Sequence, residues 1–258
     1  MINQDLSNII RHHYHLQYGC FFSELVDTHS ALYSFNDVME CFIWNHVFPY
    51  KNGCDLKHLI VDSERYFLTR ARKPCVYLDE YNNKQENVEV LSQAGYKCVD
   101  NEAWLIYPYN KAMDVSAVTL DPVEINQLGL LNEFCVICSE CFGEQYSIAI
   151  EREYSRFQVH KKVSHFVFTK DNVVVGIGSL YSYGEYVFIH NVGVKEQYRR
   201  KGYARDLMQH LINEAFRTGS DNTKLILQCD GGGFIEEMYL KLGFENLYRR
   251  WGYLKEWE

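Results

Sequence analysis

The chain has 258 residues, 47% hydrophobic and 23% charged, with only 4 Pro and 16 Gly, which excludes overall disorder and collagen-like or low-complexity architecture. Its 26 Lys and Arg stand against 34 Asp and Glu, a formal charge of -8. That balance argues against nucleic acid as a partner, since phosphate binding needs a positive face, and it tolerates a cationic acceptor such as an amine. The start, Met1 to Asp5, lacks the basic and apolar run of a secretory signal, and no stretch approaches the roughly 18 apolar residues of a membrane span. Nine cysteines, an odd number, read as reduced thiols. The expectation is a cytoplasmic protein without membrane attachment.

In chain order, the first 49 residues read as largely helical, with Val38, Met39, Phe42, Ile43 and Val47 at helix-like spacing over Asn36 to Val47. After the break at Pro49 to Gly53, Leu56 to Leu68 reads as a helix and Pro74 to Leu78 as a short strand. Val88 to Ala94 reads as a helix stopped by Gly95, and Val99 to Tyr107 as an aromatic strand. Pro108 to Asp114 is polar and aperiodic, which places a boundary between residues 1–110 and 111–258.

Beyond it the pattern predicts a strand at Val115 to Thr119, then helices at Pro122 to Cys141 and Glu151 to Lys161. Three strands follow at His165 to Thr169, Val173 to Tyr183 and Tyr186 to Val194, joined by hairpin turns at Asp171-Asn172 and Ser182 to Glu185. A helix at Lys201 to Arg217, a strand at Leu225 to Cys229, a helix at Phe234 to Leu242 and a strand pair at Phe244 to Tyr248 and Trp251 to Leu254 complete the chain. This order implies an α+β (α/β) fold, a mixed, mostly antiparallel sheet flanked by helices. Helix, glycine, aromatic, strand recurs at Leu91 to Leu105 and Tyr239 to Leu254, an internal echo.

The stretch Val192-Gly193-Val194-Lys195-Glu196-Gln197-Tyr198-Arg199-Arg200-Lys201-Gly202-Tyr203-Ala204-Arg205 carries the chemistry. A strand passes through a basic loop into an amphipathic helix, aiming backbone N–H groups and the positive helix end at one spot, a site for a pyrophosphate. Gly202 and Ala204 leave room for phosphate oxygens, while Arg199, Arg200, Lys201 and Arg205 add charge.

Arg199-x-x-Gly202-x-Ala204 after Val192-x-Val194, with Tyr239-x-x-x-Gly243-Phe244 downstream, resembles the acetyl-CoA signature of the GNAT N-acetyltransferase superfamily over about Val115 to Leu254. The resemblance implies the acyl-CoA N-acyltransferase fold and acetyl-CoA as cosubstrate, with no metal. It implies that Val192, Gly193 and Val194 splay from the neighbouring strand, pair with the pantetheine arm and polarise the thioester carbonyl, an oxyanion-type site. Arg199 or Arg200 through Arg205, Tyr203 included, would hold the pyrophosphate. Tyr239 matches the tyrosine that protonates the departing thiolate. His190, on the same face as Val192 if the strand is regular, matches a histidine of the arylalkylamine-acetylating branch and is the candidate base. Phe188 stands where histone-type members carry glutamate. Where many members carry asparagine, this chain has Gly232 within Asp230-Gly231-Gly232-Gly233, which reads as a flexible loop.

Other features invite blander readings. Cys135-x-x-Cys138-x-x-Cys141 reads as buried thiols on a helix, His12-His13-x-His15 as a solvated cluster, and Gly176-Ile177-Gly178-Ser179 as close packing between strands. The expected activity is transfer of an acetyl group to a primary amine of a small molecule or protein, by direct attack in a ternary complex. The N-terminal half lacks a comparable loop and is expected to be a noncatalytic domain, a degenerate copy of the same fold or an unrelated extension. Alternatives are a tandem-GNAT aminoacyltransferase and a nonenzymatic CoA-binding regulatory module. A homodimer is compatible with the sequence.

Overall fold

The computed structural model describes residues 2–18, 21–28, 30–50, 54–109, 119–125, 128–157 and 163–256. The chain runs through α1 (Ile2–Gln17), β1 (Glu24–Asp27), β2 (Ala31–Phe35), β3 (His46–Pro49), α2 (Leu56–Leu68), β4 (Cys75–Asp79), α3 (Gln85–Gln93), β5 (Tyr96–Tyr107) and β6 (Asp121–Glu124). It continues through α4 (Leu128–Phe142), α5 (Glu144–Phe157), β7 (Val163–Lys170), β8 (Val173–Tyr183), β9 (Tyr186–Val194), α6 (Tyr203–Thr218), β10 (Lys224–Asp230), α7 (Phe234–Lys241) and β11 (Glu245–Lys255).

Two compact units result, one of Met1–Leu105, Cys229–Leu240 and Asn246–Glu258, the other of Ile106–Gln228 and Lys241–Glu245. The chain leaves the first unit close to the expected boundary, yet the units are not the consecutive blocks 1–110 and 111–258. The cause is β11, which pairs antiparallel with β4 from Arg250↔Asp79 to Leu254↔Cys75 and brings Trp251 and Tyr253 to the first unit's core. Strand propensity says nothing about which sheet a terminal strand joins.

In the first unit the strand order is β1-β2-β3-β4-β11-β5, with β3 and β4 parallel across α2. Helix α2 starts at Asp55, whose carboxylate accepts the His58 N–H at 3.2 Å, and buries Leu56, Leu59, Ile60 and Phe67. The helix expected at Asn36 to Val47 is absent. Two buried asparagines satisfy the backbone there instead: Asn36 accepts the N–H groups of Val38 and Met39, and Asn45 accepts that of Asn36 while donating to Met39 and Cys41 carbonyls. Such side-chain bonds compete with helix formation, leaving a short 3-10 turn at Phe42–Trp44 and strand β3.

The second unit orders its strands β10-β9-β8-β7-β6, with β10 parallel to β9 and the rest antiparallel. This is the mixed, mostly antiparallel sheet that the sequence implied. Pro122 does not open a helix. It lies in the edge strand β6 opposite Phe168, a position where its missing N–H is tolerated, and α4 begins at Leu128. The strand expected at Val115 to Thr119 falls mainly on residues outside those described, and the expected terminal strand pair is one strand, β11. Asp171 and Asn172 both take left-handed φ in the β7–β8 hairpin, the conformation of a type I′ turn.

Helix α6 seats Leu207 and Leu211 over β8, where a Cβ on Gly176 would lie 3.0 Å from Leu207 and one on Gly178 would lie 2.6 Å from Leu211. The two glycines therefore make room for a helix. The expected strand-to-strand packing is only part of the reason.

Candidate active site

Strand β9 is irregular where its chemistry begins. Against β8 its register runs Ser179↔His190 and then Ile177↔Gly193, so three steps on β9 oppose two on β8. The extra residue is a β-bulge, and Asn191 within it has φ +54°. Ser179 and Ile177 share a face, so their partners His190 and Gly193 share it as well. This corrects the expectation that His190 and Val192 lie together; the bulge shifts the alternation by one residue.

Pairing of β9 with β10 stops at Ile189↔Leu227, immediately before the bulge. From there Gly193 and Val194 pair with β8 and the Lys195 N–H donates to the Val175 carbonyl at 2.9 Å, so Gly193 turns its backbone groups to β8 while Val192 and Val194 turn theirs to the open edge. The expected splay is thus present. Val194 contributes less than expected, because its carbonyl already accepts Arg199 Nε at 3.0 Å and the Cys141 thiol at 3.7 Å. Gly193 is closely packed, and a Cβ there would lie 3.0 Å from Cys141 Sγ on α4.

The loop from Lys195 is pinned at its start and open at its end. Lys195 pairs with Glu133 at 3.3 Å, the Glu196 N–H donates to Glu140, and Lys201 lies over the Tyr198 ring. Arg200 at φ +61° and Gly202 at φ +85° turn the chain into α6. Gly202 is the N-cap and supplies no capping side chain, so the first amides of α6, those of Tyr203 and Ala204, face outward beside exposed Arg200, Lys201 and Arg205. Arg199 is used differently from the expectation, its guanidinium turned back onto Val194 and Cys141. Asp206, an acid in the first turn, is occupied by the Thr119 N–H and hydroxyl.

His190 is half-buried, its ring 4.6 Å from that of Tyr181. Burial, with the neighbouring His165 charge, lowers its pKa to about 4. The imidazole is therefore neutral at physiological pH but a weak base. Beside it lies a polar group that periodicity did not reveal: Asn191 Nδ2 donates to Ser179 Oγ at 3.2 Å, and His165 Nδ1 lies 2.7 Å from the same hydroxyl. An asparagine in the middle of a β-rich run was the available signal, since it is disfavoured in strands and tolerates left-handed φ.

Tyr239 lies on α7 in the first unit, buried, and burial raises its pKa above the usual value. His190, Val192 to Val194 and Arg199 to Arg205 all belong to the second unit. The glycine loop before α7 is tethered, contrary to the flexible reading. The Gly231 N–H donates to the Asn101 carbonyl at 2.8 Å, the Gly232 N–H donates to Glu236, and Arg249 binds the same carboxylate. A Cβ on Gly231 would lie 2.7 Å from Arg249, so that glycine permits close approach.

Cys135 and Cys138 are buried and Cys141 half-buried, all as thiols. Burial pushes Cys135 up to about 11. No metal-binding cluster of His, Cys, Asp and Glu occurs among the described residues. His13 is not solvated as expected; it is buried with its ring 4.7 Å from Trp104. Among the described residues no helix is long and apolar enough to cross a membrane.

A parallel strand pair that opens at a bulge and leads into a glycine-capped helix defines the acyl-CoA N-acyltransferase class of fold. Residues 131–244 match the model of the acetyltransferase (GNAT) family. Among solved structures, a GCN5-related N-acetyltransferase from Kribbella flavida is similar at 15% identity and a TM-score of 0.70, over 91% of this chain and 90% of that one. One from Sphaerobacter thermophilus is similar at 17% identity and 0.70, over 88% and 76%. A tandem GNAT protein from the clavulanic acid biosynthesis pathway, solved without AcCoA, is similar at 13% identity and 0.65, over 88% and 78%. At these identities the likeness is one of fold. No curated protein matches the sequence.

Proposed function

We propose that the chain is a cytoplasmic acetyl-CoA-dependent N-acetyltransferase that acetylates a primary amine by direct attack within a ternary complex. The observation that carries this reading is the run from the bulge at Asn191 through the open strand edge to the uncapped start of α6 at Gly202. Its unused amides and exposed cations suit a pyrophosphate, and its strand edge suits an amide-bearing arm and a thioester carbonyl.

In this reading Arg200, Lys201 and Arg205 with the Tyr203 and Ala204 amides bind the pyrophosphate, and the backbone of Val192 at the open edge hydrogen-bonds the arm and polarises the carbonyl, with Gly193 turned to β8. Arg199 shapes the loop by holding Val194. His190 accepts the amine proton and, being weakly basic, passes it to water. Tyr239 is the proton source for the thiolate; its raised pKa keeps the phenol protonated across the working pH range. The net charge of -8 favours a cationic acceptor.

The test is calorimetric titration of the full chain with acetyl-CoA, followed by an assay of CoA thiol release against a panel of amines. Micromolar binding with turnover supports the reading, and absence of binding overturns it. Tyr239→Phe is expected to lower kcat about tenfold or more with KM for acetyl-CoA unchanged. Unchanged turnover removes Tyr239 from the mechanism.

A further inference from the structure

Only a few residue types hold a left-handed backbone in mid-strand, and Asn191 does so at φ +54° where β9 leaves β10. The conformation is not left to intrinsic preference. The Asn191 amide donates to Ser179 Oγ at 3.2 Å and approaches Tyr181 Oη at 3.5 Å. Ser179 is fully buried on β8, and its hydroxyl lies 2.7 Å from Nδ1 of His165, itself buried on β7. The Asn191 amide and the His165 ring thus meet on one buried hydroxyl, which ties three strands together at the bulge. His165 is fixed in turn against Phe134 of α4, with ring centroids 5.1 Å apart.

We infer that Asn191 is a positioning residue, anchored through Ser179 to His165, that sets the bulge and so aims the backbone of Val192 at the open edge of β9. The inference rests on the acetyl-CoA reading above. It assigns Ser179 and His165 a role in the reaction without contact with any substrate. A regular strand would return Val192 to the face of His190 and turn the backbone groups of the following residues the other way. The thioester carbonyl would then lose its donor, while the pyrophosphate loop, starting at Lys195, would keep its own anchors on Glu133 and Glu140.

The predicted signature is therefore specific to the acetyl end of the molecule. Asn191→Ala, Asn191→Gly and Ser179→Ala are compared with the wild-type chain by calorimetry with CoA and with acetyl-CoA. The infrared carbonyl band of bound acetyl-CoA carrying 13C at the carbonyl is recorded for each. In the wild type the band should lie below that of free acetyl-CoA. In Asn191→Ala and Ser179→Ala that displacement should fall by half or more, with CoA affinity within about twofold of wild type. Asn191→Gly tolerates the backbone but lacks the anchor, and should also lose at least half the displacement.

Folded variants that keep the full band displacement overturn the inference, and retention in both Asn191→Gly and Ser179→Ala shows that the anchor does nothing. If Asn191→Ala fails to fold, Ser179→Ala and Asn191→Gly decide. Wild-type chain that binds CoA but shows no displaced carbonyl band overturns this inference alone. Wild-type chain that binds neither CoA nor acetyl-CoA overturns the cosubstrate reading and this inference with it.

Discussion

Asp55 and Gly202 occupy the same place in two copies of one topology, the N-cap of the helix joining a parallel strand pair, and they present opposite surfaces to an anion. The Asp55 carboxylate caps α2 by accepting the His58 N–H, whereas Gly202 leaves the start of α6 uncapped. A carboxylate already at a helix start satisfies the amides and repels a phosphate. The chain should therefore bind one acetyl-CoA, through α6. Calorimetry should give a stoichiometry near one, and Gly202→Asp, which adds a charge and a side chain at φ +85°, should weaken binding by about tenfold or more. A stoichiometry of two would show that α2 retains a site.

His190 predicts a pH dependence of stability. Its pKa is about 4 in the folded chain against about 6.5 unfolded, so between these values the unfolded state binds more protons. The stabilisation is fully present above about pH 6.5 and is lost as pH falls toward 4, at about 1.4 kcal/mol per pH unit, or about 3 kcal/mol in all. Urea unfolding of wild type and His190→Gln at pH 7, 5.5 and 4.5 should show a shallower decline in the variant. Parallel curves would mean that His190 titrates normally.

Arg250 and Glu102 form a buried ion pair in the first unit, with Arg250 also donating to Tyr14 Oη at 2.7 Å and lying over the rings of Tyr77 and Trp104. Removing one partner strands a buried charge. Glu102→Gln or Arg250→Met alone should cost about 3–5 kcal/mol, and the double substitution should cost less than the sum of the two. Denaturant midpoints of the four proteins measure the coupling. Additive losses would show that the two charges act independently.

Gly178 offers a packing test. Its added Cβ would lie 2.6 Å from Leu211, so Gly178→Ala should lower stability by about 1–3 kcal/mol through overpacking. Leu211→Val in the same chain should restore part of it, read as a rise in Tm relative to Gly178→Ala. No restoration would place the strain in the β8 backbone.

Where periodicity and turn chemistry acted locally, the sequence was legible. Leu56 to Leu68, Val173 to Tyr183 and Tyr186 to Val194 have the expected limits, and the left-handed residues at Asp171, Asn172, Gly95 and Gly243 stand where elements end. The echo in the sequence reappears as repeated topology. In both β3-α2-β4 and β9-α6-β10 the strands are parallel, and each is followed by a helix, a left-handed glycine and a long strand. Asn36 to Val47 misled because its apolar spacing suits a helix, whereas Asn36 and Asn45 satisfy the backbone by bonds between residues nine and fifteen positions apart.

Taken by itself, the amino-acid sequence determined the basic loop, the glycine at its end and the amphipathic helix after it, because these depend on neighbouring residues and on local backbone preference. Tertiary structure decided the rest. Whether β9 bulges depends on a bond from Asn191 to a serine on β8, and which face His190 occupies depends on that bulge. The sheet that β11 enters depends on β4, more than 160 residues earlier in the chain. Strand pairing and buried side-chain bonds join residues that are distant in sequence, so no local pattern encodes them.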